Sequence, residues 1–530
     1  MTTTRSRSDV HLDRRALFRG ALGVTGVAAL GTLAACSSSD GVAAAGGSGA
    51  MVAPDSAAVA AAERARRVSG ASVVPASLRV QPSEVDLGGR TVSTWTYGDT
   101  VPGPLVRATA GDVLEVSVDN QLPTDTSVHW HGVALRNDMD GVPGLTQDPI
   151  AAGARFTYRF TAPDPGTYFY HPHTGVQLDR GLYGVLVVDD PAEPGRYDDE
   201  WVVVLDDWLD GTGRTPDQVL DQLRSRGAPG TDGSMGSMGG MHMGRSNGGS
   251  AGSMGGMQMG GMHMGGSSLP GGGDVSYPYF VVNGRMATAP ATYTSKPGRR
   301  VRIRFVNAGC DTAFRVALGG HRMTVTHTDG YPVVPMTTDA LLIGMGERYD
   351  VEVTLGDGAF PLVAMAEGKG GAGLAVVRTG TGRAPSATTR PAELRHHVLL
   401  GTDLRPTEAA RLPEGDPDDQ QELVLSGTMN PYRWTINGAT YPDTRPITVR
   451  SGQRLRMRMT NMSMMFHPMH VHGHTFAVTD TGLRKDTVIV RPMETVTIDL
   501  DADNPGQWPT HCHNLYHAET GMMTMLSYRT

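Results

Sequence analysis

Three stretches of this chain share one pattern. Gly111–Asn120 reads GDVLEVSVDN, Gly298–Asn307 reads GRRVRIRFVN and Gly452–Asn461 reads GQRLRMRMTN. Each opens on glycine, closes on asparagine nine residues later and alternates apolar with polar side chains between them. That period of two marks a half-buried strand. Three copies in 530 residues imply three β domains of one kind. Other strand-like runs, among them ARFTYRF (154–160), EWVVVLDD (200–207) and ETVTIDL (494–500), fill these out as antiparallel sandwiches with Greek-key connections. With 69 Gly and 34 Pro the composition suits many short strands and turns, so the fold class expected is all-β. A net charge of −8 with no basic block excludes nucleic acid as a natural partner.

The repeat also aligns the histidines. Nine and eleven residues past Asn120 stand His129 and His131, in HWHG; the same offsets past Asn461 give His470 and His472, in HVHG. Past Asn307 they give Val316 and Leu318. Pro165-Gly166 precedes HPH (171–173) at the same spacing by which Pro505-Gly506 precedes HCH (511–513). The first and third domains therefore each offer four histidines. A pseudo-twofold arrangement would gather all eight in one metal cluster, with the second domain as spacer.

Strand alternation then divides HCH. His511 and His513 share one face and Cys512 points to the other. A thiolate with two imidazoles and a weak thioether suits redox-active copper. His467, His517 and Met522 are placed to complete that set. The equivalent positions of the first domain are Thr126, Pro172, Gln177 and Leu182, so one such site is expected, in the third domain alone.

HWHG, HPH, HPMHVHGH and HCHNLYHAETGM, in this order, resemble the four motifs of the multicopper oxidases, the family of laccases, ascorbate oxidase, ceruloplasmin and bacterial cuprous oxidases. The likeness runs from about residue 75 to the end and is nearest to the exported lipoprotein oxidases of mycobacteria and related actinobacteria. It implies three cupredoxin-like domains, 75–192, 193–385 and 386–530, and four copper ions. Type 1 copper would take His467, Cys512, His517 and axial Met522; type 2, His129 and His470; the type 3 pair, His131, His171, His173, His472, His511 and His513. The activity implied is one-electron oxidation of a substrate, Cu(I) or another small reductant, coupled to reduction of O2 to water. Axial methionine implies a moderate type 1 potential, suited to easily oxidised substrates. Asp140, in RNDMDG, resembles the acid that cuprous oxidases place near type 2 copper. Relatives often carry glutamate just before the last type 1 histidine. Here Tyr516 stands there, with Glu519 nearby.

The ends and one insertion carry separate signals. Arg14-Arg15 precedes a 15-residue apolar run (21–35) that ends in LAAC, which reads as a twin-arginine lipoprotein signal over 1–36 with Cys36 lipidated. A flexible tether, 37–74, follows. A cell-envelope location, membrane contact only through the lipid and a monomeric state are expected. With Cys36 and Cys512 so assigned, Cys310 has no disulfide partner. Residues 234–265 set Met235, Met238, Met241, Met243, Met254, Met257, Met259, Met262 and Met264 among Gly and Ser. Such a tract cannot build a core, and its soft thioethers select Cu(I). His321, His327, His396, His397 and His474 fit no ligand motif and are read as structural or surface residues.

Overall fold

The computed structural model describes residues 49–193, 195, 197–226, 269 and 272–530. The signal 1–36, Cys36 and the methionine tract lie outside the described residues. Six sheets fall into three consecutive pairs along the chain. In each pair one strand runs parallel to the repeat strand: Val73–Asp86 beside Val113–Asn120, Asp199–Trp208 beside Arg300–Asn307, and Asp419–Met429 beside Arg454–Asn461. An antiparallel strand closes its other side. The result is three Greek-key sandwiches of cupredoxin type.

The repeated asparagine has a physical reason. Asn120, Asn307 and Asn461 are each fully buried. Each Oδ1 accepts the backbone N–H two residues on, from Leu122, Gly309 and Ser463. Each Nδ2 donates to a carbonyl four or five residues ahead and to one from a distant segment: Thr124 and Ile150, Thr312 and Ile343, Met465 and Val490, with Arg491 as a third acceptor for Asn461. One side chain thus satisfies the backbone of the loop that leads to each site-bearing strand. The repeat glycines Gly111, Gly298 and Gly452 sit at φ +92°, +80° and +87°, which disfavours other residues there.

Two sequence expectations need correction. The tether is ordered from Gly49 on and is not flexible to 74. Residues 57–66 form a helix capped by Ser56, and the first strand begins at Val73. The helix is held by Glu63, which accepts from the Thr161 N–H and hydroxyl of the first sandwich, at 3.1 and 2.8 Å. The Pro-rich, charged stretch at roughly 380–420, whose composition reads as a linker between domains, is also packed: Leu394, Leu399, Leu404 and Ala410 are buried, and Val398–Leu399 adds a short strand to a sheet of the second sandwich. Alanine-rich helix propensity and scattered leucines won over composition.

Candidate metal centre

Strands His467–Val471 and Gln507–Cys512 of the third sandwich pair antiparallel, with His470 opposite His511 and Met469 opposite Cys512. Beyond Cys512 the chain turns into a short helix, Leu515–Glu519, whose cap Asn514 accepts from the His517 N–H. That turn brings His517 back over the cysteine. Cys512 Sγ lies 3.6 Å from His467 Nδ1 and 3.6 Å from His517 Nδ1, and the two nitrogens are 3.1 Å apart. The backbone of Met522 bonds both Cys512 and His517, and all four side chains are inaccessible to solvent. Burial pushes the Cys512 thiol up, so a thiolate here needs a metal ion as its cation. At the same place in the first sandwich the Thr126 hydroxyl donates to Gln177 Oε1 at 2.7 Å, and Leu182 is buried. A hydrogen bond fills the position that a metal would otherwise bridge.

On the other face of HCH the eight histidines converge. His129 pairs across strands with His171. Rings of His131 and His470 stack at 3.8 Å, as do those of His129 and His472, joining the first sandwich to the third. The Nδ1 atoms of His129, His171, His470 and His511 donate to the carbonyls of Asp140, Pro172, Asp486 and Cys512, at 2.9 to 3.0 Å. Their Nε2 atoms are therefore lone pairs. Those of His129, His171 and His470 are buried without a partner, and Nε2 of His472 and His511 face each other at 3.0 Å. His131 is reversed: Nε2 faces Asp486 Oδ1 at 3.2 Å and Thr487 Oγ1 at 3.1 Å, and Nδ1 is the orphan. Neither ring nitrogen of His513 has a partner. Buried orphans are costly unless something occupies their lone pairs. Donor atoms of His129, His131 and His171, of His129, His470 and His472, and of His173, His472 and His511 each fall within 4.8 Å of one another. The residues thus fit a group of metal ions.

Six of these imidazoles are held neutral, as ligands must be. Burial, aided by neighbouring imidazoles, holds His131, His171, His173, His472 and His513 well below the usual value and His511 down to about 3. A histidine whose folded pKa is depressed gives stability that is present above the unfolded value of about 6.5 and lost as pH falls below it. The copper-free chain should therefore lose stability steeply on acidification, by up to about 1.4 kcal/mol per pH unit for each such group. Urea midpoints measured between about pH 7 and pH 5 test this, and a flat profile would contradict it.

Carboxylates hold the rings from behind. Asp140 is fully buried, with Oδ2 2.9 Å from His472 Nδ1 and Oδ1 3.1 Å from His129 Nδ1. Asp274, from the second sandwich, accepts from Tyr432 at 2.8 Å and lies 2.9 Å from His517 Nε2. The Tyr516 hydroxyl donates to Asp179 at 2.5 Å, and burial together with Asp207 holds that carboxyl well above its usual range. Arg348, also from the second sandwich and fully buried, grips both oxygens of Asp486 at 2.7 and 2.6 Å. Losing one partner of such a buried pair costs about 3–5 kcal/mol, so Arg348 and Asp486 act as a unit. The sequence reading missed Asp274, Asp486 and Arg348, which no motif marks, and the second sandwich is more than a spacer. Of the unassigned histidines, His474 is buried between the His472 carbonyl and the Tyr528 hydroxyl, His321 is buried and donates locally, and His396 and His397 are exposed.

This arrangement of sandwiches agrees with known proteins. Three family models, each described as multicopper oxidase, match residues 79–193, 199–382 and 414–530. The chain belongs to the multicopper oxidase family and is an oxidoreductase that uses copper. It is 49% identical to multicopper oxidase MmcO of Mycobacterium tuberculosis, over 97% of each chain. Copper resistance protein A of Escherichia coli is 27% identical over 84% of this chain and 91% of that one. In fold, the laccase of Botrytis aclada superposes with a TM-score of 0.68, covering 87% of this chain and 88% of that one at 25% identity. Fet3p, a multicopper oxidase that functions in iron import, gives 0.70 at 21% identity, covering 86% and 90%.

Proposed function

We propose that this chain couples one-electron oxidation of a substrate, Cu(I) before others, to four-electron reduction of O2 to water, outside the cytoplasmic membrane and in copper tolerance. His467, Cys512, His517 and Met522 would hold one ion of type 1, His129 and His470 one of type 2, and the remaining six histidines a type 3 pair. Copper, when bound, supplies one-electron redox chemistry and O2 activation. The chain supplies the rest. The consecutive residues of HCH join the two donor sets, Asp140 and Asp486 orient rings of both sandwiches, and burial keeps water from the thiol. Asp140 has a positioning role in this reading. The division into domains 75–192, 193–385 and 386–530, lipidation at Cys36 and twin-arginine export complete the proposal. No described helix is long and apolar enough to cross a membrane.

One observation favours Cu(I) as substrate. Met462, Met464 and Met493 are 54%, 70% and 63% exposed at the edge of the third sandwich. Met462 and Met464 flank Ser463, whose hydroxyl lies 2.8 Å from His467 Nε2. Met493 adopts φ +60° in the turn whose Glu494 carbonyl accepts from the Asn461 N–H. Exposed thioethers beside a type 1 ligand suit a soft monovalent cation. The chain on either side of the methionine tract is fastened to the same region. Arg224 donates to the Glu519 carbonyl, Leu269 packs with Phe466, and Asp274 meets His517. Direct delivery from tract to type 1 site follows as part of the proposal. Deleting 234–265 should lower Cu(I)-driven oxygen uptake and spare a bulky phenol; equal loss of both would refute the delivery role. The second reading, a laccase-like oxidase of phenols or of Fe(II) or Mn(II), draws on the laccase likeness. Oxygen uptake with Cu(I), Fe(II) and a phenol on one copper-loaded sample ranks the two.

A further inference from the structure

The second sandwich reaches the histidine cluster at GMGER, the connection Gly344 to Glu347 after strand Ala340–Ile343 together with Arg348, the first residue of strand Arg348–Thr354. Two of its residues touch the cluster side. Gly346, at φ +82°, lies so close that a Cβ there would stand 2.9 Å from His513 Cγ and Cδ2 and 3.0 Å from His131 Cε1. Its N–H is pinned to the carbonyl of Asn307, the repeat asparagine of its own sandwich, at 3.0 Å. Arg348 donates to the Gly346 carbonyl at 3.0 Å, to the Thr167 carbonyl of the first sandwich at 3.0 Å, and to both oxygens of Asp486 in the third. One guanidinium thus ties three sandwiches together at the cluster wall.

The two histidines involved are held unlike their neighbours. His131 presents Nδ1 inward, opposite to His129, His171, His470 and His511, because Asp486 and Thr487 engage its Nε2. His513 has no hydrogen bond on either ring nitrogen, so packing alone orients it, against His131, His171, Phe169 and Gly346. We infer that the Gly344–Arg348 connection is a positioning element for the paired-copper half of the cluster: Gly346 seats the His513 ring, and Arg348, through Asp486, holds His131 with Nδ1 inward. The inference rests on the copper assignment proposed above. It makes the second sandwich a working part of the oxygen-reducing site, although none of its described residues is a ligand there.

Gly346→Ala and Arg348→Met test it, with Met345→Ala as control. Met345 lies in the same connection but packs in an apolar cluster with Phe466 and Leu342. Each purified protein is loaded with copper and dialysed. Copper per chain, the near-ultraviolet absorption of a bridged copper pair and the visible thiolate–copper band are then measured. The expected result is loss of copper and of the pair absorption in Gly346→Ala and Arg348→Met, with the visible band at the wild-type level. Met345→Ala should keep both bands even if it unfolds at lower temperature. Full pair absorption in the first two variants, or equal loss in Met345→Ala, overturns the inference. A wild-type protein that shows no pair absorption would instead refute the copper assignment itself.

Discussion

Cys512→Ser is expected to erase the visible thiolate–copper absorption and to reduce Cu(I)-driven oxygen consumption to the uncatalysed background. The side chain is fully buried and lies 3.6 Å from each of two imidazole nitrogens that are themselves 3.1 Å apart. Serine is nearly isosteric, so the pairing of Met469 with residue 512 should survive. What is lost is the soft sulfur ligand that copper needs. The effect should exceed the ~10–100-fold typical of outer contacts, because a direct donor is removed. His511 and His513 point to the opposite face, so copper bound by the eight histidines should remain. Oxygen uptake that persists at the wild-type rate would sink the oxidase reading of this site. If the chain were a copper store built around its methionines, no oxygen uptake in the wild type would depend on Cys512.

Asp140→Asn should have the next largest effect. Its carboxylate faces His472 Nδ1 and His129 Nδ1, one ring from each sandwich, and is sealed from water. His129 Nδ1 keeps its bond to the Asp140 main-chain carbonyl, so the change falls on His472: the amide removes the negative charge behind that ring and, turned over, presents an NH2 where its Nδ1–H needs an acceptor. Loss of about 10–100-fold in cluster copper affinity or in turnover is expected, with the Cys512 site spectroscopically unchanged. Copper titration of the variant with the visible band as internal reference measures this. A variant that binds copper normally and loses only turnover would make Asp140 an acid in the reaction and not a positioning group.

The donor set was legible because ligands on strands obey short-range rules. A period of two separates Cys512 from His511 and His513, and a fixed offset from each repeat asparagine carries the paired histidines. The structure adds why the offset is fixed: the same asparagine bonds anchor the loop each time. The blank in the second sandwich was legible too, since Val316 and Leu318 fill its core at the ligand offsets. The substitution at Tyr516 was visible, but its partner Asp179 was not, being 337 residues away.

The sequence by itself determined the three β repeats, the two faces of HCH and which twelve side chains could serve as donors, because strand alternation and repeat spacing are local and survive in one dimension. Only the tertiary structure decided which ring nitrogen each histidine turns inward and what holds it there. Asp140 meets His472 across 332 residues of chain, Arg348 meets Asp486 across 138, and Asp274 meets His517 across 243. Contacts of that range leave no period and no spacing. They exist only because the three sandwiches close on one another, and burial there makes every unpaired nitrogen costly enough to need an assigned partner.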